Sequence, residues 1–199
     1  MSEVGRLERQ IRFLLEADRL KTVMRRTRLI EPEGEESRFE NTAEHSWHIA
    51  LMAMVLAEHS NEAVDSWRVV RMLLVHDLVE IDAGDTPAFG EQLDKQEREE
   101  AAAARIFGLL PEDQREEFYE LWREFEARET AEARLANAVD RVLPPFQNLA
   151  NLGGSWRDFQ VSRERADARL SPIGEGAERL WEVVRGVLDE GERRGLLRG

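Results

Sequence analysis

The chain has 199 residues, at the upper edge of one ordinary domain, and 42% of them are hydrophobic, so it can bury a core. It contains no cysteine, which excludes disulfides, thiolate zinc sites, iron–sulfur clusters and a cysteine nucleophile. With 28 basic and 41 acidic residues the formal net charge is -13, and so negative a surface repels a phosphate backbone. We therefore expect no polynucleotide partner.

Two further patterns bear on location. No stretch approaches the roughly 18–20 apolar residues that a bilayer-spanning helix requires. Residues 1–10 are charged and lack the apolar segment of a signal peptide. The sequence therefore predicts no membrane partner and a cytoplasmic location.

The apolar residues recur with helical spacing from the first segment onward, where Leu7, Ile11 and Leu14 form a stripe. Asn41 followed by Glu44 is the pattern of a capping box and predicts a helix to about residue 60. Ser66 can cap a third helix, which Gly84 ends, and the Gly- and Pro-containing stretch 85–91 reads as a loop.

The second half of the chain continues the helical pattern. A charged helix is predicted over about 93–110, followed by one that starts at Pro111 and reaches about 128. Thr130 opens the next helix, which must kink or stop at Pro144-Pro145. After a break at Gly153-Gly154, two last helices are expected near 156–170 and 172–188. We find no Ser/Gly linker long enough to separate two domains, and the prediction is an all-α, single-domain bundle of about seven to nine helices over residues 1–199.

Ionisable residues interrupt the apolar third helix. His76 and Asp77 lie between apolar residues on both sides, and burying an imidazole and a carboxylate is costly unless they are paired or bind a metal. Glu80 follows one helical turn later on the same face. Asp140 is another carboxylate inside an apolar helical pattern. Histidine and carboxylate ligands suit Zn, Mn, Co, Ni or Fe, but the spacing alone leaves a satisfied core histidine, or an Asp140–Arg141 ion pair, as alternatives.

The order His45, His76-Asp77, Asp140 resembles the signature of the HD-domain metal-dependent phosphohydrolases, and is most similar to their 5′-deoxynucleotidase branch. The stretches that carry the resemblance are 38–46, 76–87 and 138–140. It covers roughly residues 7–145, with less distinctive helices at about 155–190. A bare His-Asp pair is a weak signal, but the set with Glu-His-Ser and His-Asp-x-x-Glu-x-x-x-Gly-Asp is a strong one.

The resemblance implies an all-α fold, one divalent metal ion, a homodimer, and hydrolysis of deoxynucleoside 5′-monophosphates to deoxynucleoside and phosphate. The residues it assigns to the site are the metal ligands His45, His76, Asp77 and Asp140, the acid/base group Glu80, the sugar contacts Asp85, Thr86 and Pro87, and the phosphate contact Arg26. Arg25 and Arg28 are the next choices for that contact. The family's tryptophan beside this arginine is missing, since no Trp precedes Trp47.

Two other functions remain open from the sequence. One is a different HD phosphohydrolase, acting on a nucleoside triphosphate, a cyclic dinucleotide or an alarmone; the lack of a Gly-Tyr-Pro motif argues against the cyclic dinucleotide. The other is a non-catalytic helical scaffold with a decayed site, against which the intact ligand set and Glu80 argue.

Overall fold

A computed structural model describes residues 3–30, 37–85 and 95–198 of the chain. Within those ranges the all-α prediction is confirmed, because helices dominate and the sheet is a single short hairpin. Eight helices have eight residues or more: α1 (Glu3–Ala17), α2 (Thr42–Leu56), α3 (Ser66–Val75), α5 (Lys95–Phe107), α6 (Glu112–Ala127), α7 (Ala131–Ala150), α9 (Arg163–Leu170) and α11 (Glu178–Arg193).

Shorter elements connect these helices. The short α-helices are α4 (Glu80–Ala83), α8 (Gly154–Asp158) and α10 (Ile173–Gly176). Three 3-10 turns cover Asp18–Thr22, Ala57–His59 and His76–Val79. The strands β1 (Met24–Arg28) and β2 (Phe39–Asn41) pair antiparallel, with Met24 opposite Asn41 and Arg28 opposite Phe39.

The local capping chemistry explains where several helices begin. The capping box at α2 is confirmed, since Asn41 Oδ1 accepts from Glu44 N at 3.0 Å and the Glu44 carboxylate accepts from Asn41 N at 3.2 Å. Thr130 caps α7 as expected. At α3 the expectation was wrong by one residue: Asp65, not Ser66, accepts from the amides that follow.

The third helix differs from its prediction in a way that shapes the site. It does not continue to Gly84, because α3 ends at Val75 and a 3-10 turn precedes α4. Gly84 does end the segment, with a φ of 74° that favours glycine. The tail also differs, because four helices, α8 to α11, stand where two were expected.

Helix α7 lies at the centre of the fold and contacts α2, α3, α6, α10 and α11. Of the two outcomes expected at Pro144-Pro145, termination does not occur, since α7 continues to Ala150. Each proline removes one backbone donor, but the helix is packed along most of its length, and tertiary burial outweighs that local loss. The buried core draws on α2, α3, α5, α6, α7 and α11. None of the helices in the described ranges combines the length and apolar character of a membrane crossing.

Candidate metal centre

Three separate elements contribute the four expected ligands, of which His45, His76 and Asp140 converge and Asp77 lies against His76. His45 lies in the first turn of α2, His76 and Asp77 lie in the 3-10 turn after α3, and Asp140 lies in the middle of α7. His45 Nε2 is 2.9 Å from Asp140 Oδ1, and His76 Nε2 is 3.0 Å from Asp77 Oδ1 and 3.9 Å from Asp140 Oδ1. One ligand atom each from His45, His76 and Asp140 lies within 4.8 Å of the others, and the Asp77 carboxylate adjoins them.

The outer nitrogen of each imidazole faces a different acceptor. His76 Nδ1 is 3.0 Å from the carbonyl oxygen of Leu73, which can only accept, so this nitrogen carries the proton. His45 Nδ1 is 3.3 Å from Glu40 Oε2, in a carboxylate that is 1% exposed. The His76 bond is of the kind that fixes the orientation of metal-binding histidines, whereas the His45–Glu40 contact is a close approach without hydrogen-bond geometry. Both Nε2 atoms are turned toward Asp140.

The negative charge of the carboxylates in this cluster favours a bound cation. Burial by itself lowers the pKa of His76, but the carboxylates of Asp77 and Asp140 raise it to about 9, so without a metal the cluster retains a proton. Two imidazole nitrogens and two carboxylates form a donor set that first-row divalent ions accept. The residues present therefore fit the divalent ion that the sequence predicts.

Glu80 lies beside the cluster without joining the three mutually adjacent donors. Its Oε2 accepts a hydrogen bond from Thr42 Oγ1 at 2.9 Å, and the side chain is buried. Burial, and then the negative charge of Asp77, raise the pKa of Glu80 well above its ordinary value. A buried carboxyl group with a raised pKa is a candidate for the proton transfers of acid–base catalysis.

The arginines of β1 divide between the two faces of the strand. Arg25 turns inward, with Nη1 3.3 Å from Asp77 Oδ2 and Nε 3.7 Å from Glu40 Oε2. Arg26 is exposed and borders the adjacent cavity, so its assignment to the phosphate stays a prediction. Arg28 is occupied within the hairpin, where Nη1 donates to Ser37 O at 2.5 Å and the guanidinium lies over the ring of Phe39.

Asp140 borders two cavities. The first is a partly open cleft with an enclosed volume of about 90 Å³. Its apolar lining residues are Pro144, Pro145, Trp156, Phe159 and Leu170, and its charged ones are Arg25, Arg26, Asp85, Asp140, Arg141 and Arg169. The second cavity is more polar and is bordered by His76, Asp77 and Glu80.

Asp85 borders both cavities, and burial raises its pKa. The carboxyl group therefore lines the space next to the proposed metal ligands. Thr86 and Pro87, the other predicted sugar contacts, lie outside the described residues. All three assignments stay predictions.

Several residues of this region escaped the sequence analysis. Glu40 and Thr42 lie within the stretch that carries the family resemblance, so each was visible as a polar residue close to His45. Arg141, beside Asp140, was considered only as an ion-pair partner. Arg169 carries no local signal, because it lies on a polar helix far along the chain and reaches the site only through the packing of α9.

Comparison with known proteins identifies the family of this chain. A model of the HD domain family matches residues 17–181. A solved structure from Magnetospirillum magnetotacticum MS-1, described as a predicted metal-dependent phosphohydrolase, is 51% identical, covers 98% of this chain and 97% of its own, and superposes with a TM-score of 0.92. The PH0347 protein from Pyrococcus horikoshii OT3, at 23% identity and a TM-score of 0.61 over 90% of this chain and 99% of its own, shares the fold. The chain belongs to the HD domain family.

Several relatives are named as one class of enzyme within this family. The human 5′-deoxynucleotidase HDDC2 is 36% identical over 131 residues, which are 62% of this chain and 62% of the human protein. The 5′-deoxynucleotidase VV1113 of Vibrio vulnificus is 26% identical over 66% of this chain and 73% of its own length. The chain spans 62% to 64% of the length of the vertebrate relatives it matches. The resemblance to this branch, first seen in the motifs, is confirmed.

Proposed function

We propose that the protein is a metal-dependent phosphohydrolase that converts deoxynucleoside 5′-monophosphates to deoxynucleoside and phosphate. The observation that carries the proposal is the convergence of His45, His76 and Asp140 with the Nε2 atom of each histidine turned inward. Relatives named 5′-deoxynucleotidase support the substrate class. The roles given below to individual residues are part of the proposal.

One divalent ion is assigned to His45, His76, Asp77 and Asp140. Such an ion supplies Lewis-acid polarisation of a phosphoryl oxygen and lowers the pKa of water bound to it. Mn, Co, Zn, Ni and Fe all suit the donor set, so the choice among them is left to the experiment.

Glu80 is assigned the proton transfers. Thr42 holds Oε2 by a hydrogen bond, which leaves Oε1 of Glu80 as the oxygen that accepts the proton from the attacking water. The same carboxyl group then donates a proton to the leaving 5′-oxygen.

The first cavity is assigned to the nucleoside. Its apolar wall, which includes Phe159 and Leu170, suits a base and the faces of a sugar. Asp85 accepts a hydrogen bond from the 3′-hydroxyl, and Arg25 or Arg26 meets the negative charge of the phosphate. The phosphate thereby lies beside Asp140, while the base points away from the ligands.

A phosphate-release screen tests the function. The chain is first treated with a chelator, then supplied with single divalent ions and a panel of ribo- and deoxynucleoside mono- and triphosphates. We expect no release after chelation, recovery with Mn or Co, and preference for deoxynucleoside 5′-monophosphates. Activity that survives complete metal removal would refute the metal-dependent mechanism. Faster release from triphosphates would favour the other HD phosphohydrolases, and no release from any nucleotide would favour the scaffold.

The proposal includes a homodimer in the cytoplasm. The dimer is supported by an exposed apolar face on α2, which carries Trp47, Leu51, Met54 and Val55; Trp47 is 63% and Met54 68% exposed. Exposed apolar faces of this kind commonly mark a protein contact. The cytoplasmic location follows from the sequence alone and stays a prediction.

A further inference from the structure

Arg141 is a buried cation whose ion-pair partner among the described residues, Asp140, is also a proposed metal ligand. It follows Asp140 in α7 and is 7% exposed. Nη1 donates to the carbonyl oxygen of Asn137 at 2.6 Å and to Asn137 Oδ1 at 2.9 Å, whereas Nε has no hydrogen-bond partner among the described residues. Within those residues the carboxylate that lies within 4.0 Å is Asp140, at 3.8 Å, and the proposed metal would share that charge.

Arg169 lies close to Arg141 but belongs to another helix. It is half-buried on α9 and borders both cavities, as Arg141 does. In residues 3–30, 37–85 and 95–198 it makes no hydrogen bond and no ion pair. Arg128, at the rim of the second cavity, is close enough to repel both. Like charges this close are unfavourable unless an anion joins them.

The charged side chains around the first cavity are mostly positive. Four arginines, Arg25, Arg26, Arg141 and Arg169, border it against the two carboxylates Asp85 and Asp140, in a protein whose formal net charge is -13. Arg25 is already engaged by Asp77 and Glu40. The second cavity adds two cations, Arg128 and Lys95, and Lys95 is engaged by Glu99 at 3.4 Å. The guanidiniums of Arg141 and Arg169 therefore remain available to a ligand.

We propose that Arg141 and Arg169 form a phosphate subsite, separate from the arginines of β1, next to the metal ligand Asp140. A guanidinium presents its N–H groups in a plane that matches two phosphate oxygens. The subsite would receive the phosphoryl oxygens of the substrate and hold inorganic phosphate after hydrolysis. This inference rests on the proposed function for the substrate, but binding of inorganic phosphate can be tested without any turnover.

The primary test is calorimetric titration of the metal-loaded full chain with inorganic phosphate. Arg169→Gln removes the charge while losing no described hydrogen bond or ion pair. Loss of a hydrogen bond between charged groups should raise the dissociation constant for phosphate at least about tenfold. The matched control is Arg185→Gln, which removes an exposed charge on α11 and should leave phosphate affinity unchanged.

Two further measurements separate a binding role from a structural one. Metal content of Arg169→Gln should match the parent, and its phosphate-free Tm should be equal or higher, since the substitution removes repulsion rather than contacts. Arg141→Lys keeps the charge but loses the planar fork, and it should also weaken phosphate binding. Unchanged phosphate affinity in Arg169→Gln, or a parent that binds no phosphate at millimolar concentrations, would overturn the subsite.

The subsite and the proposed function fail in different ways. If phosphate binding depends on Arg169 and no nucleotide is hydrolysed, the subsite stands and the nucleotidase proposal falls. If nucleotides are hydrolysed and neither KM nor inhibition by phosphate changes in Arg169→Gln, the nucleotidase stands and the subsite falls. A rise in KM together with weaker phosphate inhibition supports binding of the substrate's phosphate, and weaker inhibition alone supports retention of the product.

Discussion

Replacing Glu80 by Gln separates proton transfer from every other role of this side chain. The amide has nearly the same size, and its oxygen can still accept the 2.9 Å hydrogen bond from Thr42. What it cannot do is take up a proton. Acid–base groups contribute about 100- to 10,000-fold in rate, so kcat should fall by at least about 100-fold, which corresponds to ~2.7 kcal/mol at 1.36 kcal/mol per factor of ten. KM should change little.

The same substitution should stabilise the metal-free protein near neutral pH. Burial and the charge of Asp77 raise the pKa of Glu80 in the folded chain. In the unfolded chain the pKa of this side chain is about 4.3. Below about 4.3 both states hold the proton; as the pH rises further, the unfolded state releases its proton first and the folded state loses stability. Gln has no proton to release, so its advantage over Glu grows between pH 5 and pH 7.

Three measurements check this pair of expectations. Phosphate release gives kcat and KM, metal analysis gives the metal content of the purified variant, and thermal denaturation after chelation gives Tm at pH 5 and pH 7. Near-parental turnover in Glu80→Gln would remove Glu80 from the mechanism. Loss of the metal would make Glu80 a ligand, and a Tm difference that does not grow with pH would contradict the raised pKa.

Other substitutions test the ligands, the phosphate contact and the dimer. Asp140→Ala should lose the metal while circular dichroism still shows a helical fold, because this carboxylate lies 2.9 Å from the Nε2 atom of a histidine ligand; equal metal content would make Asp140 structural. Arg25→Ala and Arg26→Ala should both raise KM with metal content unchanged. The larger effect, at least about tenfold, is expected at Arg26, because Arg25 is already engaged by Asp77 and Glu40; a larger effect at Arg25 would move the phosphate contact to that residue. Trp47→Asp should halve the mass found by light scattering, while Val183→Asp, exposed on α11, should not; an unchanged mass for both would exclude the α2 face.

Much of the fold follows from short-range patterns in the sequence. The Asn41–Glu44 capping box and the Thr130 cap act within three residues, so the starts of α2 and α7 could be predicted. The expected ligands were recognisable because ionisable residues at positions 76, 77 and 140 interrupt apolar runs, where burial would be costly without a partner. Motif spacing then identified the family.

Tertiary packing decided the rest. Helix α7 passes through Pro144-Pro145 because its neighbours bury it on several sides, an energy that no local rule contains. The 3-10 turn at His76–Val79 replaces a regular helix where the site is built, and local propensity gave no sign of it. Glu40 behind His45, and Arg169 from a helix near the end of the chain, reach the site through contacts between distant segments. Sequence periodicity shows which face of a helix is buried, but the residue that meets it across the core depends on how the whole chain packs.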